Sequence, residues 1–292
     1  MSNQWAKVVL DSVAPNGRRL ITVEARYARW IHCELLTHRA FARNAASSRA
    51  IPFVSRNDNG SFKDTCTFAM LSGDPFIPDF IGAKQKGMQS GEELTGDCRE
   101  DAEAIIHSMR LFCLDRCLQL DRLGVHKSII NRYLEPWSYI TTLITATEWK
   151  NFFRLRIHPA AEKHFNDIAT KIKAAIDGST PTPLLTGEWH LPYIQDSERE
   201  HGHIKYLRMA SSARCSRISY LNHSKETPVF SDDIKSAERL LNPGPGDDEP
   251  PHISPFEHVA MAMGKTDAEY RSGPFFGWHQ FRKEFANENL PG

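Results

Sequence analysis

A turn between two alternating apolar segments restricts the fold more than any other feature of the sequence. The segments are Val8–Val13 and Arg19–Ala25, and Asn16-Gly17 lies between them. Asn-Gly in this position is typical of a β-hairpin, because both residues tolerate the positive φ that a tight turn requires. The chain is therefore expected to begin with two paired antiparallel strands.

From Ala28 onward the apolar spacing changes from that of a strand to that of a helix, through Trp30, Ile31 and Leu35. This helix is expected to deliver His38 and Arg39 at its C-terminal end. It leads into the segment Thr37–Pro52, which contains three arginines, a histidine and two serines but no acidic residue. Because a solvated helix normally balances such cations with acidic neighbours, the segment indicates an anionic ligand. Arginine and serine side chains suit a phosphate group.

The rest of the sequence predicts further helices and one central segment. A helix from about Glu100 to Leu123 is expected to bury one apolar stripe, formed by Ile105, Ile106, Met109, Phe112, Cys113, Cys117, Leu120 and Leu123. The uncharged run Ile140–Thr147 indicates a central strand or a buried helix. Other helices are expected over residues 127–134, from Pro159 to Ile176, over Tyr206–Cys215, over Asp232–Leu241 with Ser231 as N-cap, and over Pro274–Ala286.

Residues 53–99 are rich in Gly, Ser, Asp and Pro, which predicts a loop-rich insert acting as a lid or a subunit contact. The length of 292 residues suits one domain over residues 1–292 that carries this insert. Polar residues 195–203 are expected to be exposed.

Composition excludes several classes of protein. The 36 basic and 36 acidic residues cancel, which argues against a nucleic-acid-coating surface. The sequence shows no export signal, and no apolar run approaches the length of a membrane span. The six cysteines include no Cys-x-x-Cys pair and fit reduced thiols. A cytoplasmic protein without nucleic-acid or membrane partners is expected, and no metal site, since His32, Cys33 and His38 lack ligand spacing.

The basic segment resembles the signature of flavin-dependent thymidylate synthases. His38 and Arg39 match the second and third members of that family's Arg-His-Arg, Asn44 matches its asparagine, and Ser47 and Arg49 match its final Ser-x-Arg. The sequence departs from the signature at three positions, where Thr37, Ala42 and Ala45 replace arginine, serine and glutamate.

Four other segments resemble motifs of the same family. They are Arg217-Ile218-Ser219-Tyr220, His252-Ile253-Ser254-Pro255-Phe256-Glu257-His258, the segment from Gly273 to Gln280, and Asn151-Phe152-Phe153-Arg154-Leu155-Arg156. Their order differs from that of the family, in which the first two precede the basic signature. The resemblance therefore implies a circular permutation, which domains with neighbouring surface termini tolerate. The N-terminal helix and the segment from Pro274 resemble the same family helix, and the sequence does not decide which takes its place.

The resemblance implies an activity and a set of site residues. The activity is C5 methylation of a deoxypyrimidine monophosphate, by default dUMP to dTMP, with FAD, NADPH and 5,10-methylenetetrahydrofolate as cofactors. The catalytic residues would be Ser47, Arg49 and Arg156. Ser48 and Gln280 would join them in binding substrate. FAD would be held by His38, Arg39, Asn44, Asn151, Ser219, His252, Ser254 and Glu257.

The implied architecture is α+β, with a mixed or antiparallel sheet flanked by long helices in a homotetramer. Because Thr37 and Ala45 depart from the signature, two related activities stay open: a reaction on dCMP and release of a 5-hydroxymethyl product. Two other classes also stay open. One is a nucleotide- or flavin-binding protein without turnover, and the other is a nucleic-acid-binding module that uses residues 127–132.

Overall fold

The computed structural model describes residues 3–89, 91–218, 229–242 and 252–285. Its architecture is α+β, as the sequence predicts. A five-stranded sheet has the strand order β3-β4-β2-β1-β5 and is antiparallel except for the parallel pair β1 and β5. Its strands are β1 (Trp5–Val13), β2 (Arg19–Ala28), β3 (Ala42–Ala45), β4 (Tyr139–Ala146) and β5 (Thr182–Pro183).

The N-terminal hairpin is confirmed. β1 pairs with β2 from Trp5 opposite Arg26 to Val13 opposite Arg19, and Gly17 in the turn has φ of 81°. A side chain at such a φ is strained, which explains the glycine. The uncharged run is strand β4, which lies between β2 and β3 and is buried over most of its length. A strand with neighbours on both sides and a covered surface needs apolar or neutral residues throughout.

Helices cover this sheet and build an outer layer. The N-terminal helical segment is a short 3₁₀ turn, Arg29–Ile31, followed by α1 (His32–Leu35), so it is shorter than expected. The other helices before the second sheet are α2 (Thr67–Gly73), α3 (Gly96–Arg122), α4 (Lys127–Tyr133), α5 (Lys150–Arg156) and α6 (Lys163–Asp177). A 3₁₀ turn, Glu135–Trp137, joins α4 to β4. Among the described residues of the range 53–95, α2 is the one helix, and a role for this range as a lid or subunit contact stays a prediction.

Helix α6 buries an apolar stripe against the sheet, through Phe165, Ile168, Ala169, Ile172 and Ile176. It begins later than expected, because Glu162 is the N-cap and its carboxylate accepts from the Phe165 N–H at 2.6 Å. The same core includes Val23, Tyr27 and Ile144 from the sheet. Burial of these side chains provides the main stabilising free energy.

The C-terminal half forms a second layer with a three-stranded sheet of order β10-β7-β6. Its elements are β6 (Trp189–His190), α7 (Asp196–His201), α8 (Ile204–Ser216), α9 (Phe230–Leu241), a 3₁₀ turn (Ser254–His258), β7 (Ala260–Ala262), β8 (Arg271–Ser272), β9 (Phe275–Phe276), β10 (Trp278–Gln280) and a final 3₁₀ turn (Phe281–Glu284). The pair β8 and β9 is a separate two-stranded sheet.

Four predictions of local structure are wrong. Residues 274–284 form strands and a 3₁₀ turn rather than a helix, because Gly273 and Gly277 take positive φ and turn the chain twice. Helix α1 ends at Leu35, so it does not carry His38 and Arg39 at its C-terminal end. Helix α9 begins at Phe230 without a side-chain cap, so Ser231 lies inside the helix. On α3 the predicted buried residues Ile105, Met109 and Phe112 are exposed.

None of the helices in the described ranges combines the length and the apolar composition needed to cross a bilayer.

Candidate functional site

The three arginines of the basic segment have different environments. Arg43 lies in strand β3, and its guanidinium donates to the Leu36 carbonyl at 2.6 Å and to the Leu35 carbonyl at 3.2 Å. Arg39 is exposed in the turn before the strand, and Arg49 is exposed in the loop after it. The segment is therefore divided by β3, and only Arg49 stays beside the two serines.

Helix α4 fixes the loop that carries Ser47, Ser48 and Arg49. The buried Asn131 amide donates to the Ser48 carbonyl at 2.7 Å and to the Ile51 carbonyl at 2.8 Å. Lys127 donates to the Ala50 carbonyl at 2.8 Å. Because these bonds hold backbone atoms, the loop has a defined shape without using the side chains of Ser47 or Arg49.

A cleft of about 380 Å³ lies along this loop, and we call it the arginine cleft. The charged and hydroxyl groups that line it are Arg29, Ser47, Ser48, Arg49, Arg132 and Glu135, with His32 beside them. Arg29 follows directly after β2, and Arg132 belongs to α4. Three separate elements thus bring their arginines to one depression.

The electrostatics of the arginine cleft favour an anion. Glu135 accepts from the Ser48 hydroxyl at 2.6 Å and lies 3.5 Å from the Arg29 guanidinium. Three guanidinium groups against this one carboxylate leave an excess of two positive charges along the lining. Within the described parts of the chain, Arg49 and Arg132 form no ion pair.

Burial lowers the pKa of His32, and the nearby Arg29 and Arg43 guanidinium groups act in the same direction, so that together they bring it to about 4. The imidazole is therefore neutral at pH 7, and its Nδ1 lies 2.8 Å from the Tyr27 hydroxyl. It can contribute a hydrogen bond to the cleft but no charge.

A second, more enclosed cavity of about 460 Å³ adjoins the arginine cleft, and we call it the inner cavity. The two share Arg29, Ala46 and Ser48. Apolar walls come from Ile51, Met70, Leu71, Leu134 and the ring of Tyr139. Besides the shared residues, the polar lining consists of Arg26, Asp64, Thr67, Asp74, Asn131, Ser138 and Thr141. Apolar walls combined with polar groups are typical of small-molecule sites.

Arg156 lies in a different cluster, outside the lining of the arginine cleft. Its guanidinium donates from Nε to His38 Nε2 at 3.0 Å and pairs with Glu34 at 2.8 Å. It also stacks over the Phe165 ring at 4.2 Å. Burial lowers the pKa of His38 to about 4, with Arg156 and Arg43 adding to the effect, so His38 is neutral and accepts through Nε2.

The predicted residues Asn44, Glu257 and Gln280 lie where the two halves of the chain meet. The Asn44 amide donates to the Cys215 carbonyl at 2.8 Å, and the buried Gln280 amide donates to the Glu257 carbonyl at 2.9 Å. Glu257 pairs with Arg282, and burial raises the pKa of its carboxyl against the opposing effect of that arginine. In this arrangement Asn44 and Gln280 hold backbone atoms.

Four other predicted residues, Arg39, Asn151, His252 and Ser254, are exposed on the surface. Asn151 accepts from the Arg154 guanidinium at 3.2 Å. Ser219 lies outside the described residues. The structure thus gathers Ser47, Ser48 and Arg49 in the arginine cleft, places His38 beside Arg156, and leaves these four side chains facing solvent.

Comparisons with known proteins return a distant structural similarity. No protein-family model matches the sequence, and no curated protein matches it. Part of the fold is similar to crystal structures of a UMP/dUMP methylase, PolB from Streptomyces cacaoi, bound with 5-Br dUMP or with 5-Br UMP. In both cases the TM-score is 0.47 and the sequence identity is 13%, over 60% of this chain. The match covers 91% of the first structure and 89% of the second.

Sequence reasoning missed three residues of the arginine cleft. Arg29 lies between a strand and a helix, and Glu135 lies in a 3₁₀ turn, so neither forms part of a recognisable motif. The sequence placed Arg132 only in a possible nucleic-acid-binding helix over residues 127–132. No local signal in the sequence identifies it, because the contact of the neighbouring Asn131 with the Ser48 carbonyl joins residues far apart in the chain.

Proposed function

We propose that this protein is a flavin-dependent enzyme that transfers a one-carbon unit to C5 of a deoxypyrimidine monophosphate, by default converting dUMP to dTMP. The observation that carries the proposal is the arginine cleft. The signature residues Ser47 and Arg49 share one depression with Arg29 and Arg132, and the lining has an excess of two positive charges. A phosphate monoester is close to a dianion at pH 7, so its charge matches this excess.

The phosphate is assigned to the arginine cleft and the base to the inner cavity. Ser47 Oγ can donate to the phosphate, and Arg49 and Arg132 can each offer two parallel N–H groups. The inner cavity, at about 460 Å³, lies within the usual range of roughly 300–1,000 Å³ for small-molecule sites. Asn131, Ser138 and Thr141 offer the base neutral hydrogen-bonding groups, and the lining also carries the charged Arg26, Asp64 and Asp74 beside the apolar walls.

The resemblance also implies FAD, and the chemistry of the predicted residues suits it. Arg39 and His252 can bind the diphosphate, and Asn151 and Ser254 offer neutral hydrogen-bond donors and acceptors. All four side chains are exposed. When bound, FAD reduced by NADPH supplies a hydride, and 5,10-methylenetetrahydrofolate supplies the carbon. The neutral His38 keeps Arg156 in place beside Glu34, so that the guanidinium has a fixed direction.

Binding of nucleotide and nucleoside tests the assignment of the phosphate. Arg49→Ala and Arg132→Ala each remove a charge-assisted hydrogen bond of about 1.5–3 kcal/mol, which is roughly a tenfold to hundredfold loss of affinity for dUMP. Affinity for deoxyuridine, which lacks the phosphate, should not change. Arg239→Ala, an exposed arginine on α9, is the matched control. Calorimetry that shows equal losses for dUMP and deoxyuridine would place the phosphate elsewhere.

Turnover tests the reaction itself. The purified protein should show the absorbance bands of a flavin. With NADPH and 5,10-methylenetetrahydrofolate it should convert dUMP into dTMP, identified by mass spectrometry. A methylated or hydroxymethylated product from dCMP instead would change the substrate or product within the same fold. Nucleotide binding without any product would make the protein a non-catalytic binder, and a colourless protein that binds no nucleotide contradicts the proposal.

A further inference from the structure

Helix α3 is apolar on two opposite faces, and only one of them is covered. Its 27 residues pack through Arg110, Leu114 and Cys117 against α2 and α4. On the other side Ile105 is 60% exposed, Met109 is 56% exposed and Phe112 is 61% exposed. A helix with apolar residues on both faces normally has a partner on each.

The exposed face has the spacing of a coiled-coil seam. Alternating steps of four and three residues connect Cys98, Ala102, Ile105, Met109, Phe112, Arg116 and Gln119. This is the pattern of a and d positions in a heptad, and it brings one stripe of a helix against a second helix. We define these seven residues as the α3 seam.

The charges along the helix identify the partner and its direction. The N-terminal end of α3 is acidic, with Asp97, Glu100, Asp101 and Glu103 against Arg99, whereas the C-terminal end balances Asp115 and Asp121 with Arg116 and Arg122. Two copies of α3 in antiparallel orientation would set Asp101 opposite Arg116 and Ile105 opposite Phe112, each contact occurring twice around a two-fold axis near Met109. In a parallel pair the two acidic N-terminal ends would meet, which is unfavourable.

We propose that α3 of this chain pairs with α3 of a second copy, antiparallel and in this register. In the described structure Asp101 has no ion pair. Arg116 lies 3.9 Å from Asp115, donates to Gln119 at 3.0 Å and lies over the Phe112 ring at 4.7 Å, but these contacts are all within α3 and its side chain is 55% exposed. Both charges are therefore available to the partner. This proposal rests on the exposed face and on the charges of α3, and does not depend on the proposed enzymatic function.

Charge reversal tests the register. Sedimentation velocity of the wild-type protein should show a dimer or a multiple of it. Asp101→Arg alone and Arg116→Asp alone each create two like-charge pairs, so each should raise the dissociation constant at least tenfold. A mixture of the two variants should form a heterodimer with opposite charges at both contacts, and the double variant should dimerise with itself. Ala104→Arg, exposed on α3 but off the seam, is the control.

Cross-linking provides an independent measurement. In the proposed register Cys98 faces Gln119 of the other copy, whereas the two Cys98 residues lie roughly 30 Å apart along the helices. Gln119→Cys should therefore give a disulfide-linked dimer on oxidation that Cys98→Ser abolishes. The proposal is wrong if the wild-type protein is monomeric. It is also wrong if neither charge reversal changes the dissociation constant, or if the two single variants fail to associate when mixed. Circular dichroism confirms that each variant is folded.

Discussion

Five buried polar side chains form one hydrogen-bonded chain across the core. Ser12 bonds to His190 Nδ1 at 2.9 Å, His190 Nε2 to Thr22 at 2.8 Å, Thr22 to Thr145 at 2.8 Å, and Thr145 to His258 Nδ1 at 2.8 Å. The serine and threonines come from the five-stranded sheet, and both histidines come from the C-terminal half. These bonds satisfy polar groups that burial would otherwise leave unpaired.

This network makes the stability of the protein sensitive to acid. Burial lowers the pKa of both His190 and His258 to about 3, whereas an unfolded histidine has a pKa of about 6.5. As the pH falls below about 6.5, the unfolded chain binds protons that the folded chain does not. The free energy of unfolding should then fall by up to about 1.4 kcal/mol per pH unit for each imidazole, down to about pH 3.

Urea unfolding between about pH 7.5 and pH 5 measures this slope. His258→Gln removes one imidazole and leaves an amide that can still bond to Thr145, so it should flatten the pH dependence of the unfolding free energy. His201→Gln, at an exposed position on α7, should leave the slope as it is. A wild-type stability that is constant over this range would contradict the neutral, buried state of the two histidines.

At the residue scale, the sequence predicted part of the candidate site. Ser47, Ser48 and Arg49 could be found because they are neighbours in one motif, and the local chain keeps them together. Arg29, Arg132 and Glu135 could not, since only the pairing of β2, β4 and α4 brings them to the loop. Arg156 was assigned a substrate role, and the structure gives it two internal partners, Glu34 and His38. Contacts between distant elements are not encoded in any local spacing.

At the scale of elements, a buried ion network joins three helices. Asp233 of α9 is fully buried and bonds to Arg214 of α8 at 2.8 Å and to Arg217. Arg214 is itself paired with Glu198 of α7 at 2.6 Å. Each carboxylate has guanidinium partners, so the charges are compensated inside the helix layer.

Asp233→Ala should lower the free energy of unfolding by about 3–5 kcal/mol, because it leaves Arg214 buried with one partner removed. The neighbouring Asp232 provides a matched control, since its carboxylate is exposed and its ion pair with Lys235, at 3.7 Å, is exposed as well. Asp232→Ala should change stability by less than about 0.5 kcal/mol. Chemical denaturation of both variants measures the difference. Equal effects would show that the network contributes no more than a surface pair.

Some elements could be predicted correctly from their sequence patterns, and others could not. The hairpin β1–β2 and helix α6 were recognisable because one face is apolar and the turn or cap residues are distinctive. The stripe on α3 was placed on the wrong face, because both sides of that helix are apolar and spacing cannot tell core from interface. The segment from Gly273 is rich in aromatic residues and suggested a helix, but its two glycines with positive φ turn it into short strands.

At the scale of the molecule, the first and last parts of the chain share one core. Trp278 of β10 is fully buried and donates from Nε1 to the Arg18 carbonyl at 3.1 Å. It packs with Ala14, Leu20 and Ala42 of the N-terminal half and with Ala260, Ala262 and Phe275 of the C-terminal half. The five-stranded sheet and the smaller sheet therefore share this cluster, while each half also has a larger hydrophobic cluster of its own. A single domain over both halves stays a prediction.

One domain should unfold in one cooperative transition. Far-ultraviolet circular dichroism and tryptophan fluorescence should give the same denaturant midpoint, because the cluster around Trp278 joins the two halves. Trp278→Ala should lower the free energy of unfolding by about 3–5 kcal/mol and move both signals together, since the cavity it leaves lies between the two halves. Trp5→Ala, on the exposed part of β1, is the control and should have a much smaller effect. If the circular dichroism signal split into two transitions and Trp278→Ala shifted only the one that reports the C-terminal half, the chain would consist of two domains that fold independently. The contacts of Trp278 on both halves would then contribute little to their association.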